Sequence, residues 1–327
     1  MTTAVSITPR TIDRDESRWP VSYIRRHLSL DDKTATIYRA AADRAHDGAP
    51  NATWWSAYDS CPGATAICAG ALVTGGSEPV ACYAYKQEQR GDRHNLRHAA
   101  AWRLREWNRL GVIEGGQLAL EVLIYSWRRQ LALGVQVPTF RLLASGDLDL
   151  HRARQWRLAW DALADLEGPA LVDALQVDPE PAHHLHYRTR HLRSWLYTRS
   201  YGTCASDAAR ALVDDSGKPP PGVVLYLSVD ESCRRRAATA LATWAHRLPL
   251  AALSTRPSTG RRLIQGIREA ANLEHRPLFA CPVDAGSSRY DGPRHRDQAT
   301  GKTVGACTHC GRCWLGPDVP DIVFVSR

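Results

Sequence analysis

The chain has 327 residues with 42 Lys+Arg against 34 Asp+Glu, a formal charge of +8 and a pI near 9.1. At 44% hydrophobic and 23% charged the composition is that of a globular protein, and no apolar run is long enough to span a membrane. Met1 to Arg10 lacks the apolar stretch of a secretory leader, so a cytoplasmic location is expected. There nine cysteines argue for metal binding over disulfides.

Residues 1–50 are polar and read as a peripheral N-terminal segment with one helix over about Asp31 to Arg44. Thr53-Trp54-Trp55-Ser56-Ala57-Tyr58 reads as a short strand. It ends at the turn signal Asp59-Ser60-Cys61-Pro62-Gly63. Cys68, the small-residue loop through Gly75-Gly76-Ser77, and Cys82-Tyr83-Ala84 follow. Helices are expected over about His94–Arg109 and Gln117–Leu133, separated by Gly115-Gly116.

From there strands and helices alternate. Strands are expected at 140–144, 195–197, 223–227, 250–253, 278–280 and 322–325, with helices over about 150–166 and from Asp230 to about His246. Alternation of this kind implies a parallel sheet with right-handed crossovers. Without a glycine-rich dinucleotide signature, it suggests an α/β fold with a full or partial (βα) barrel. The expected organisation is 1–50 peripheral, 51–280 barrel, and 281–327 a cysteine-rich segment with a final strand.

Polar triplets close the strands: Ser145-Gly146-Asp147, Thr198-Arg199-Ser200, Ser228-Val229-Asp230 and Ser254-Thr255-Arg256. Each can be a plain helix N-cap, a position that favours Ser and Asp. In a parallel barrel the same ends also meet at one face, where chemistry collects. His183, His184 and His186 lie in a loop entering a helix and read as solvated. The basic residues are dispersed, with small clusters at Arg234-Arg235-Arg236 and Arg261-Arg262. They permit a nucleic-acid partner without forming an evident stripe.

Two cysteine groups carry the sharpest signal. Cys281, Cys307, Cys310 and Cys313 end the chain, the last three at two-residue spacing, which lets neighbouring thiolates face one centre. The loop between Cys281 and Cys307 is nearly devoid of apolar residues, so an inorganic staple would account for its order. Zinc and an iron–sulfur cluster both suit this set, and His309 is a less favoured alternative ligand. Cys61, Cys68 and Cys82 form a triad after the first strand. Three thiolates leave one iron of a 4Fe–4S cluster open to a substrate or to S-adenosylmethionine. Zinc with a fourth ligand from elsewhere competes with that reading. Cys204 and Cys233 can supply a fourth ligand, but read better as buried thiols at helix starts.

Cys61-Pro62-Gly63-Ala64, Cys68, Cys82-Tyr83-Ala84, Ser145-Gly146-Asp147, Tyr197-Thr198-Arg199-Ser200, Ser228-Val229-Asp230 and the Cys281–Trp314 ending occur in one order over residues 53–315. That ordered set resembles the phage and plasmid gene-product eighty-eight family, which implies no established activity. More distantly the three-cysteine loop resembles radical S-adenosylmethionine enzymes, although their cysteines stand closer together.

Two functions follow as expectations. One is an iron–sulfur enzyme of radical type, with an open 4Fe–4S cluster on Cys61, Cys68 and Cys82. The second four-cysteine centre would then be an auxiliary cluster or a structural zinc. In it Asp147 would hydrogen-bond a ribose hydroxyl, Arg199 would hold a carboxylate and Asp230 would handle protons. Ser145, Tyr83 and Thr198 would line the cofactor, and an electron-donor protein would be a partner. The other is a zinc-stapled nucleic-acid-binding protein of a mobile element without catalysis. Neither expectation involves a membrane.

Overall fold

The computed structural model describes residues 19–28, 53–54, 94–132, 139–142, 148–166, 193–202, 207–254, 256–281, 294–296, 303–305 and 319–325. In chain order the elements are α1 (Val21–Arg26), β1 (Thr53–Trp54), α2 (His94–Arg109), α3 (Val112–Ala132), β2 (Thr139–Leu142), α4 (Leu150–Ala164) and β3 (Arg193–Thr198). They continue with α5 (Ala208–Ala211), β4 (Val223–Val229), a 3-10 turn (Glu231–Cys233), α6 (Arg234–Thr243), β5 (Leu250–Ser254) and α7 (Pro257–Ala270). The chain closes with β6 (Leu278–Ala280), β7 (Arg294–Arg296), β8 (Thr303–Gly305) and β9 (Asp321–Val325).

Seven strands form one sheet in the order β1-β2-β3-β4-β5-β9-β6, and every pairing in it is parallel. β7 and β8 form a separate antiparallel pair. The strands run in sequence from β1 to β5, as the alternation predicts. The sheet is open, however, and a full barrel is corrected. β9 enters between β5 and β6, while β1 and β6 are the two edges. The physical reason lies in β9 itself. Asp321 at its first position is fully buried against α7 and β5, which fixes β9 beside β5.

That fixture is an ion pair. Arg268 of α7 donates to both oxygens of Asp321, at 2.5 Å from Nε and 2.6 Å from Nη2, and Asp321 also accepts the Leu250 N–H at 2.7 Å. Both side chains are almost completely enclosed. A buried pair survives only where further hydrogen bonds satisfy its atoms; here Arg268 also donates to the Leu248 carbonyl.

The sheet has two unlike faces. Phe140, Leu142, Leu196, Val223, Leu225, Leu227, Val229, Leu250, Ala252 and Val323 alternate onto one face. There they join apolar residues of α3, α4, α6 and α7 in the main core. Trp195, Val224, Tyr226, Ala251 and Ile322 point the other way and form a smaller cluster with Cys281, Val319, Tyr197 and Phe324. No described helix contributes to that second cluster. The sheet is therefore wound on one side among the described residues.

Two helix boundaries differ from the sequence reading. Gly115 and Gly116 do not separate helices; they lie inside α3, and the break falls at Leu110-Gly111. Their missing side chains admit α4, because a Cβ on Gly115 would run into Gln155 and one on Gly116 would meet Leu158. The Gln155 amide in turn donates to the carbonyls of Trp107, Leu110 and Gly111 at the end of α2. α7 was not expected at all. Its two glycines look like breakers, yet Gly260 is where the helix meets Val323 and Gly266 is where Arg234 lies across it.

The N-terminal segment, read as peripheral, gives Trp19, Ile24 and Leu28 to the main core. His27 is enclosed between α1 and α2, accepting the Trp107 indole N–H on Nδ1 at 2.9 Å. Arg103 closes the same joint by donating to the Arg26 and Leu28 carbonyls. The helix expected over Asp31–Arg44 lies outside the described residues. No described helix is long and apolar enough to cross a membrane.

Candidate functional site

Parallel strands bring their C-terminal ends to one edge, and in open α/β sheets that edge is where ligands bind. Among the described residues the edge is built around Arg199 and Asp230. Arg199 follows the last residue of β3 and Asp230 follows the last residue of β4. The register pairs Tyr197 with Tyr226, so Arg199 stands beside Ser228. Arg199 Nη1 reaches Asp230 Oδ2 at 2.6 Å, and its Nε lies 3.4 Å from Ser228 Oγ. Both residues are buried.

Asp230 is held from its other side as well. Its Oδ1 accepts the Ser232 N–H at 2.9 Å and the Ser232 hydroxyl at 2.5 Å. The Cys233 thiol completes a reciprocal capping box, receiving the Asp230 N–H at 3.1 Å. Tyr201 locks the two strand ends together. Its hydroxyl donates to the Ser228 carbonyl at 2.8 Å and lies 3.5 Å from the Cys233 sulfur. Burial, and next the nearby thiol, push the Tyr201 phenol well above its ordinary pKa, so it stays a neutral donor. Arg236 lies over its ring at 4.9 Å.

The neighbouring side chains on the same face are aromatic and cationic. Tyr197 and Tyr226 have ring centroids 5.0 Å apart, and Phe324 meets Tyr197 edge-on at 5.4 Å. Arg141 lies in β2 between Phe140 and Leu142, which face the main core, so it points to the opposite face, that of the second cluster. Its guanidinium is 6.0 Å from the Tyr197 ring. Cys281 follows β6, buried in the same second cluster as Tyr226. The registers place Cys281 level with Phe324 on β9, Leu253 on β5 and Asp230 on β4. Three strand spacings separate Cys281 from Asp230, about 14 Å.

From the residues that the sequence singles out, the structure thus joins Arg199 to Asp230 and places Cys281 on the same face, three strands away. Thr198 is buried beside them, and its hydroxyl accepts the Ser200 N–H at 3.0 Å, turning the chain out of β3. Cys61, Cys68, Cys82, Tyr83, Ser145, Asp147, Cys307, Cys310 and Cys313 lie outside the described residues. No group of three metal-ligating side chains occurs among the described ones. Of the proposed metal ligands only Cys281 is placed. Its chemistry and place fit a ligand: a cysteine sulfur, buried, next to the end of β6 at the C-terminal edge of the sheet. Cys233 does not fit that role, because its sulfur is spent on the Asp230 turn.

Sequence reasoning missed Arg141 and Tyr201. The signal for Arg141 was present, as a charge inside an apolar strand is costly unless it is used. Tyr201 gave no comparable signal.

Against known proteins, the model of the family described as "Gene product 88" matches residues 26–316. No curated protein and no solved structure matches the chain.

Proposed function

The chain belongs to the gene product 88 family, and from that premise we propose an iron–sulfur enzyme of radical type, working at the C-terminal edge of an open, partial (βα) barrel. One observation carries the reading. Arg199, Asp230 and Cys281 share the face of the second cluster and the edge of the sheet at which parallel α/β folds bind ligands. β1 ends at Trp54 on that edge, seven positions before Cys61 in the sequence.

A 4Fe–4S cluster on that triad would, when bound, supply the electron for reductive cleavage of S-adenosylmethionine. The chain's own residues bind and orient. Three donors already converge on Asp230, namely Arg199 Nη1, the Ser232 N–H and the Ser232 hydroxyl. A carboxylate engaged in this way suits the orienting of Arg199 better than the taking of a proton. Arg199, whose Nη1 and Nε are set by Asp230 and Ser228, would then meet a ligand carboxylate as an oriented positive charge. Tyr197, Tyr226 and Phe324 form an apolar wall that keeps water from the reacting groups.

Electron paramagnetic resonance of the anaerobically purified, dithionite-reduced protein tests the reading. A cluster signal that changes when S-adenosylmethionine is added supports it. A cluster signal indifferent to S-adenosylmethionine removes the radical part, and no signal removes the cluster.

A further inference from the structure

The two arginine clusters that are separate in the sequence become neighbours in the fold. Arg234 and Arg235 begin α6, and Arg261 and Arg262 lie in the second turn of α7, all four exposed. α6 and α7 pack side by side, and a groove between them is lined by Arg234, Arg235, Thr239, Thr243 and Ala270. Arg234 crosses this groove. A Cβ on Gly266 would meet its Nη2 at 2.5 Å, so the glycine is what lets the guanidinium lie on α7. Arg262 is four residues before Gly266, on the same side of the helix and one turn away, about 6 Å along the axis.

Nothing in the folding of these helices asks for arginine here. Cations at a helix N-terminus oppose the macrodipole, and neither α6 nor α7 has an acidic residue in its first turn. Among the described residues no carboxylate pairs with Arg234, Arg235, Arg261 or Arg262. Glu231 is the one acid lining the groove. Like charges held together without partners cost stability, and a polyanion would relieve that cost.

We propose that the α6–α7 groove is a binding surface for the phosphate backbone of nucleic acid. The Ser232, Thr239 and Thr243 hydroxyls that line it already donate to Asp230 and to helix carbonyls, so the arginines carry the phosphate contacts. No aromatic side chain lines it, so it offers no stacking platform for bases, and binding is independent of sequence. A lipid surface fits less well. Among the described residues the exposed large apolar side chains are Val21 and Ile113, neither of them on α6 or α7, and peripheral membrane helices need apolar residues to insert. The inference stands apart from the iron–sulfur reading, because no cysteine takes part in it.

The test is fluorescence anisotropy with a short, labelled, mixed-sequence DNA duplex, titrated at several salt concentrations against the full chain. The expected wild-type result is salt-dependent binding, equal for duplexes of unrelated sequence. The triple variant Arg234→Ala/Arg235→Ala/Arg262→Ala binds roughly tenfold or more weakly, and its slope of log affinity against log salt is smaller by about 2.7. The remote variant Lys218→Ala/Arg247→Ala binds as wild type. Should the triple variant fail to fold, Arg262→Gln alone, an exposed change, lowers the slope by about 0.9. The proposal is overturned if the wild type does not bind, if the groove variants bind like wild type, if the remote variant weakens binding equally, or if phosphatidylserine vesicles compete the duplex away.

Discussion

Arg199 and Asp230, 31 positions apart in sequence, meet through a 2.6 Å ion pair at the adjoining ends of β3 and β4. The pair is enclosed, with 11% and 3% of the two side chains exposed. Removing one member leaves the other charge buried without its partner, which costs about 3–5 kcal/mol. Arg199→Met is therefore expected to lower the unfolding free energy by about that amount in urea titrations. The double variant Arg199→Met/Asp230→Leu is expected to recover most of the loss while abolishing any activity. A pair kept only for stability would show no such split between folding and function.

Arg268 and Asp321 make the matching test at the opposite edge of the sheet. This pair fixes β9 between β5 and β6 and is remote from the candidate site. Arg268→Met is expected to destabilise by about 3–5 kcal/mol. Where the variant stays folded, metal content is expected to be unchanged. Urea unfolding and metal analysis on one preparation read both.

His27 predicts a pH dependence. Burial, and next the positive charges of Arg103 and Arg26, lower its pKa from 6.5 to about 3. The folded state therefore holds it neutral while the unfolded chain protonates it below pH 6.5. Its contribution is present in full above pH 6.5 and is lost as pH falls toward 3. Across that window the unfolding free energy is expected to drop by up to about 1.4 kcal/mol per pH unit from this residue. His27→Gln, which keeps an acceptor for the Trp107 indole, is expected to remove that one-proton slope in denaturation curves at stepped pH.

Gly115 is a packing test. Gly115→Ala would push a methyl into Gln155 and displace the amide that caps the end of α2. The expected loss is about 1–3 kcal/mol, read from the shift in thermal midpoint. The same change at Gly111, where nothing lies within reach of a new Cβ, is expected to be nearly silent.

Gly115 also marks where sequence reading stops. Hydrophobic runs such as Val223–Leu227 announced the parallel strands, because strands buried on both faces are continuously apolar. Their order was legible only up to β5. The insertion of β9 depends on the contact between Asp321 and Arg268, 53 positions apart, which no local pattern records. Gly115 and Gly266 look like breakers in one dimension and turn out to be contact surfaces in three. Of the site, Arg199 and Asp230 were legible because polar residues close apolar strands. Their mutual pairing, the bracing by Tyr201 and the place of Arg141 were not, since each depends on the register between strands. The arginine groove was present in the sequence only as two short clusters whose adjacency the packing of α6 on α7 creates.

The central claim is that the cysteines hold iron at the strand ends. Its most direct measurement is the iron, acid-labile sulfide and zinc content of protein purified without oxygen, alongside the variant Cys61→Ser/Cys68→Ser/Cys82→Ser. The account predicts at least one four-iron, four-sulfide cluster per chain in the wild type, and the loss of that amount in a variant that remains folded. Colourless protein that carries zinc alone, or a variant with undiminished iron, would contradict it.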